Sequence, residues 1–141
     1  MADFPDFTAA GGKLNIYNNW IWRTKGGLIH RDNDLPALIS KNCAVRGWYI
    51  NDQRHRDHAP AHIVRPCFDR EGGYEEWYFH GKLHRLDGPA IRHYDDGEVV
   101  YYVDGVYFEN GDDDAYKEAC RRFRIEHGLL ESGKLTKRAP L

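Results

Sequence analysis

The chain has no marked excess of charge, no long apolar run and few cysteines, and each absence removes a class of function. Lys and Arg number 20 against 22 Asp and Glu, a net charge of −2 with His neutral. That near balance speaks against an acidic DNA mimic and against a basic nucleic-acid binder, so no DNA partner is expected. No apolar run approaches the roughly 20 residues a membrane span needs, so no span is expected either. The opening Met1-Ala2-Asp3-Phe4-Pro5-Asp6 has no basic stretch leading into an apolar one, and a secretion signal is not expected. Cys43, Cys67 and Cys120 are odd in number and form no close pair, which predicts reduced thiols in a cytoplasmic protein.

What is present is aromatic and repetitive. Of 141 residues, 41% are hydrophobic and 13% aromatic, enough for one domain with a modest core. Eight histidines are many for this length. The segment Trp48-Tyr49-Ile50-Asn51-Asp52-Gln53-Arg54-His55-Arg56-Asp57-His58-Ala59-Pro60-Ala61 aligns without a gap on Trp77 to Ala90, at an offset of 29. A third copy runs from Trp22 through His30-Arg31 to Pro36-Ala37, with one extra residue before its His and one before its Pro. A fourth, decayed copy is Tyr101 to Phe108. Recurrence of this kind marks a repeat architecture.

The residue types predict β-hairpins. Asn51-Asp52, His80-Gly81 and Asp104-Gly105 sit between aromatic and β-branched runs, where two-residue turns belong. Such a turn fixes the register and sets Trp48 opposite His55 and Trp77 opposite His84. A three-residue loop, Lys25-Gly26-Gly27, sets Trp22 opposite His30 and absorbs the extra residue. Pro-containing turns then lead to further strands, among them 90–94 and 98–103. The fold class expected is mainly β: an antiparallel meander of three to four tandem β-hairpin repeats with one C-terminal α-helix.

The period of two predicts the faces. One gathers Trp77, Phe79, Ile91, Val99, Tyr101, Val103 and Phe108, with His84 among them, and is the expected core. The other gathers Tyr78, Arg85, Arg92, Tyr94, Tyr102 and Tyr107, open to water or a partner. Tyr116, Cys120, Phe123, His127 and Leu130 form one apolar helical face after the acidic start Asp112-Asp113-Asp114. The expected organisation is a lead segment over 1–20 and a repeat sheet over 21–109. The units of that sheet lie near 21–39, 48–64, 77–94 and 100–108. The helix is expected within 110–131 and a flexible tail over 132–141.

His84-Arg85-Leu86-Asp87-Gly88-Pro89-Ala90 carries the pattern His-Arg-x-Asp-Gly-Pro-Ala whole. It resembles short tandem repeats of bacteriophage and giant-virus proteins, which are similar to MORN-type hairpin repeats. The resemblance covers about residues 20–108. The second copy departs from it at Asp57-His58-Ala59, and the first has Asp34-Leu35 before its Pro. The resemblance implies a viral β-repeat protein acting in a host cytoplasm, as an inhibitor or adaptor on a host system. It also brings membrane lipids and protein partners into view, and it supplies no catalytic residue.

The pairs His30-Arg31, His55-Arg56 and His84-Arg85 admit two readings. As ligand contacts they hold phosphates or carboxylates. As scaffold, each His packs on its cross-strand Trp and bonds a turn carbonyl, and each Arg meets a carboxylate such as Glu76 opposite Arg85. His55, His58 and His62 have helical metal spacing, but Pro60 and the repeat register splay them, so no metal site is expected. Equivalent His residues on hairpins about 10 Å apart do not reach one phosphate, so no catalytic residue is assigned.

The candidate site is a binding surface of Tyr49, Arg54, Arg56, Tyr78, Arg85, Arg92, Tyr94 and Tyr102, types enriched at protein interfaces. The leading expectation is a non-enzymatic binding protein that engages a host or viral protein, with no cofactor. One alternative is sequestration of an anionic, cyclic nucleotide between Tyr and Arg, with a homo-oligomer placing the site at a subunit interface. Another is a nucleotide phosphodiesterase using His.

Overall fold

The computed structural model describes residues 4–67 and 71–128, with the backbone of 130–131 and 134–135. A 3-10 turn, Thr8–Ala10, precedes the strands β1 (Lys13–Leu14), β2 (Asn19–Ile21), β3 (Leu38–Ser40), β4 (Val45–Gly47), β5 (Tyr49–Ile50), β6 (Gln53–Arg54), β7 (His62–Val64) and β8 (Tyr74–Glu76). There follow β9 (Tyr78–Phe79), β10 (Lys82–Leu83), β11 (Ile91–His93), β12 (Val99–Val103), β13 (Val106–Phe108), the helix α1 (Asp114–Glu126) and a short hairpin of β14 (Leu130–Glu131) and β15 (Lys134–Leu135). Nine strands form one antiparallel sheet in the order β1-β2-β3-β4-β7-β8-β11-β12-β13. The mainly-β meander with one C-terminal helix is therefore the fold.

The hairpin registers follow the turn chemistry. Tyr78 pairs with Leu83, Tyr49 with Arg54, and Tyr102 with Tyr107. Both residues of each turn have positive φ: 48° and 69° at Asn51-Asp52, 46° and 84° at His80-Gly81, 50° and 81° at Asp104-Gly105. That is the type I′ geometry whose twist matches the flanking strands.

Each repeat divides at its tryptophan. The Trp48 N–H donates to the Ala61 carbonyl at 2.7 Å, while the Trp48 carbonyl accepts from the His55 N–H at 3.1 Å. So β4 pairs with β7, β5 pairs with β6, and residues 55–61 leave the sheet as a loop between the two ladders. Trp22 holds His30 and Ala37 in the same way, and Trp77 holds His84 and Ala90. The returning alanines Ala37, Ala61 and Ala90 are each 0% exposed, which leaves no volume for a larger side chain.

The core is thin and lies at the two ends of the sheet. Trp20, Trp22, Ala37 and Ile39 form one cluster with Phe7 against it. Val103, Tyr116, Cys120 and Phe123 form the other, where α1 covers Phe79, Tyr101 and Phe108. The α1 N-terminus is capped by Asp113, whose side chain accepts the Ala115 N–H. The helix packs as a second layer on β12, and Phe7 beside the 3-10 turn packs on Trp20 and Trp22 at the other end.

Several boundaries move. The lead segment 1–20 carries β1 and most of β2, so the sheet begins before residue 21. The helix fills 114–126 of the expected 110–131. The expected tail contains the β15 backbone, and Leu130, proposed for the apolar helix face, has a side chain outside the described residues. Ile91 leaves the expected core face, whereas Val99 keeps it, in line with Tyr101 and Val103, without being buried. Ile91 pairs with Glu76 and Val100, on the other side of the sheet from Glu75, and Val99 is 40% exposed.

Candidate functional site

The eight candidate residues fall into three places. Tyr49 and Arg54 on the β5–β6 hairpin, Tyr78 on β9 and Tyr102 on β12 of the large sheet lie on the same side as Glu76 and His62. The Arg54 Nε–H donates to the Tyr49 hydroxyl at 3.0 Å and its Nη1 to the Tyr78 hydroxyl at 3.3 Å. The Tyr78 hydroxyl in turn donates to Glu76 Oε2 at 3.2 Å, which His62 Nδ1 meets at 3.0 Å. Burial pushes the Glu76 carboxyl up, but the bonds from His62 and Tyr78 and the Arg54 charge outweigh it and hold it below the usual range. Burial raises the Tyr78 hydroxyl pKa, and the Glu76 charge adds to it. Tyr102 pairs with Tyr107, their rings 5.8 Å apart edge to face, and Tyr107 is 57% exposed.

Arg92 and Tyr94 stand on the opposite face. Both bond the buried Glu75, Arg92 Nη2 at 2.7 Å and the Tyr94 hydroxyl at 3.2 Å. Neighbours in a strand point to opposite faces, and Glu75 precedes Glu76, so the two groups are separated by the sheet. The single Tyr/Arg face expected from the period of two is thus divided, and Arg92 has a structural partner.

Arg56 and Arg85 belong to the loops. Their guanidinium groups lie over the rings of Trp48 and Trp77, at 3.9 and 3.8 Å from the centroids, and Arg31 lies 3.8 Å over Trp22. The Nη1 of each donates to the carbonyl of its own loop proline, Pro60, Pro89 or Pro36. Every loop is folded back over the tryptophan face by the same two contacts. Gly88 has no Cβ where one would lie 2.9 Å from the Arg85 guanidinium carbon. Arg85 bonds Asp87 at 3.0 Å, and Glu76 is occupied by His62, Tyr78 and Arg54.

The repeat histidines join one repeat to the next. His30 Nδ1 accepts the Asn51 N–H at 3.2 Å, His55 Nδ1 the His80 N–H at 3.0 Å, and His84 Nδ1 the Asp104 N–H at 2.8 Å. The partner is a turn N–H of the following hairpin, not a turn carbonyl. His30 and His55 hold Asp32 and Asp57 at Nε2, 2.7 and 2.8 Å away. The two contacts fix the Nε2–H tautomer. Leu86 stands where the third repeat would have that acid, and His84 instead lies against Phe123 at 4.2 Å. Among the described residues, no group of three His, Cys, Asp or Glu side chains converges on a metal position.

Two grooves separate the loops. The first, about 360 Å³, lies between loops one and two and is lined by Asp34, Trp48, Arg56 and His58. Asp34 bridges it, bonding Arg56 Nε at 2.8 Å and Nη2 at 3.2 Å. The second, about 410 Å³, lies between loops two and three and α1, lined by His58, Trp77, Phe79, Arg85, Phe123 and Arg124.

Glu76, His62, Tyr107 and Asp34 stand outside the site expected from the sequence, which gives Glu76 to Arg85 and weighs His62 only as a metal ligand. The first two meet only because β7 pairs with β8 at His62–Glu76, and no local pattern announces that register. Tyr107 belongs to the expected open face, and the two-residue turn at Asp104-Gly105 sets it beside Tyr102. Comparison of the chain with protein-family models, with curated proteins and with solved structures finds no match.

Proposed function

We propose that the chain is a non-enzymatic binding protein that engages a partner protein through the uncovered sheet face bearing Tyr49, Arg54, Tyr78, Tyr102 and Tyr107. The observation that carries this reading is the tyrosine row. The last three units each place one tyrosine on the side away from the loops, at Tyr49, Tyr78 and Tyr102, where the first has Arg23, and α1 packs on the other side. Tyr and Arg held in fixed positions offer large contact area at a small entropic cost on binding. Arg54 is held by Tyr49, Tyr78 and Glu76, so much of its ordering is complete before a partner arrives.

The repeat histidines support the same reading. Each uses Nδ1 to accept a turn N–H within the scaffold, which leaves that atom no part in proton transfer to a substrate. The resemblance to phage and giant-virus repeats directs the search for the partner to a host or viral protein, with the chain as inhibitor or adaptor.

The test is capture of the partner by the full chain, quantified against two single variants on opposite faces. Arg54→Gln should lower capture, and Arg92→Gln should leave it unchanged. Equal capture by all three proteins would move the interface off the tyrosine row.

A further inference from the structure

The three repeats are built alike, so a contact present in one and missing from the next shows where the scaffold is incomplete. The indole N–H of each repeat tryptophan points toward the segment that precedes its own loop. Trp22 Nε1 donates to the Ala10 carbonyl at 2.9 Å, and Trp48 Nε1 donates to the Asp34 carbonyl at 3.0 Å. Trp77 Nε1 is buried and has no acceptor among the described residues. Trp22 and Trp48 are 6% and 7% exposed, whereas Trp77 falls outside the buried core.

Loop length is the cause. The first loop has one more residue between its His and its Pro than the second. The extra residue places Asn33 and Asp34 consecutively at φ 65° and 56°. This left-handed step carries the Asp34 carbonyl onto Trp48 and its carboxylate onto the Arg56 fork. The second loop lacks the step. His58 holds the matching place two residues before the proline, and it makes no hydrogen bond or ion pair to a described residue. Asp57 of the second loop lines the second groove with Asp87, but it is held by His55 and does not reach Arg85. Arg85 keeps only the Nε contact to the exposed Asp87 and the Nη1 contact to Pro89, and Arg124 reaches the Leu86 carbonyl at 3.3 Å.

We infer that the second groove is a binding site for an external carboxylate on an apolar or aromatic stem, taking the place that Asp34 fills in the first. Arg85 and Arg124, with His58 beside them, supply the positive charge in a groove that Asp57 and Asp87 also line. Trp77, Phe79 and Phe123 supply the apolar wall. Asp34 engages the Arg56 fork at Nε and Nη2, whereas at Arg85 the exposed Asp87 takes Nε and Pro89 takes Nη1, which leaves Nη2 for an incoming carboxylate. The site lies on the tryptophan side of the sheet and is separate from the tyrosine row.

The probe is 3-phenylpropionate, with 3-phenylpropanamide as its neutral counterpart, titrated into the 15N-labelled full chain at constant ionic strength. The Arg85 Nε–H and Trp77 Nε1–H resonances should shift saturably with the acid, and the amide should bind about tenfold more weakly or worse. A capped Glu-Phe-Glu peptide forms the second arm, and tighter binding than the small acid identifies a polypeptide as the source of the carboxylate. Two variants fill the groove from within. One replaces Asp57-His58-Ala59 by the first-loop sequence Asp-Asn-Asp-Leu. The other is His58→Asp, a change at one exposed side chain that tests the site even where the loop exchange fails to fold. Each folded variant should weaken the acid about tenfold. Equal shifts with acid and amide, a response that never saturates, or undiminished binding by His58→Asp would overturn the inference.

Discussion

The imidazole of His84 ties the third repeat to the fourth: its Nδ1 accepts the Asp104 N–H at 2.8 Å while its ring lies 4.2 Å from that of Phe123 on α1. Burial lowers its pKa from 6.5 to about 4, with the Asp104 charge opposing and His127 and Arg124 adding to the fall. The folded protein thus holds a neutral ring where the unfolded chain, titrating near 6.5, takes up a proton. Stability is full above about pH 6.5 and declines as the pH falls toward 4, by up to about 3 kcal/mol. Urea midpoints between pH 7.5 and 4.5 measure this. His84→Gln keeps a possible acceptor for Asp104 and removes the titration, so its profile should be flatter. Parallel profiles would assign the acid sensitivity elsewhere.

The tryptophans should differ in what their loss costs. Trp48 is 7% exposed and its indole N–H is satisfied. Trp48→Ala should cost about 3–5 kcal/mol, a large part of what a small domain has. Trp77 is more open and its N–H lacks a partner, so Trp77→Ala should cost at least about 1 kcal/mol less. Equal losses in thermal melts would mean that the second groove is as well filled as the first.

Much of this arrangement is legible in the residues. Two-residue turns fixed Tyr78 against Leu83, and the Trp22–His30, Trp48–His55 and Trp77–His84 pairings followed from counting. The loops were the obstacle. Residues 55–61 leave the sheet between two ladders, and a period of two carried across such an excursion puts Arg85 on a strand face when it lies over Trp77. The same error joined Arg92 and Tyr94 to Tyr78, because only the β8–β11 register reveals that both bond Glu75. The inter-repeat bond of His55 to His80 spans 25 residues and leaves no local trace. β1 is two residues long, too short for periodicity to register.

Asp34 and Asp87 both meet a loop arginine, but with different reach. Asp34 holds Arg56 with two oxygens across a groove, whereas Asp87 touches Arg85 through one. Both carboxylates are largely exposed, which limits the gain. Asp34→Ala should lower stability by about 1 kcal/mol and Asp87→Ala by less than about 0.5 kcal/mol. Denaturant unfolding of the two variants resolves the difference, and a larger loss at Asp87 would contradict the bridging role of Asp34.

The helix covers the β12 end of the sheet, so its removal should be felt there first. A fragment of residues 1–111 exposes Phe79, Tyr101, Val103 and Phe108, which α1 covers through Tyr116, Cys120 and Phe123. It should aggregate or bind a hydrophobic dye and lose cooperative melting. A monomeric fragment with a sharp transition would show that the sheet stands without its cover and that α1 is an added arm.

Partner binding should distinguish the two faces of the sheet at residues close in the repeat pattern. Arg54 lies among Tyr49, Tyr78 and Glu76 on the open face, and Arg92 bonds Glu75 on the other. Replacing either by Gln removes one charge and keeps a polar side chain of similar length, so the two changes are chemically matched. An interface arginine contributes about 2 kcal/mol or more, equal to roughly a thirtyfold weaker complex. Arg54→Gln should show that loss with the purified partner while its melting temperature moves little. Arg92→Gln should show the reverse pattern: unchanged affinity and a small drop in stability, because among the described residues only the Tyr94 hydroxyl then remains as a side-chain partner of Glu75. Tyr107→Ala extends the test along the row, since Tyr107 is 57% exposed and its loss costs the fold little. If Arg92→Gln weakens the complex and Arg54→Gln does not, the partner sits on the loop side, and the tyrosine row is solvated surface held together by its own hydrogen bonds.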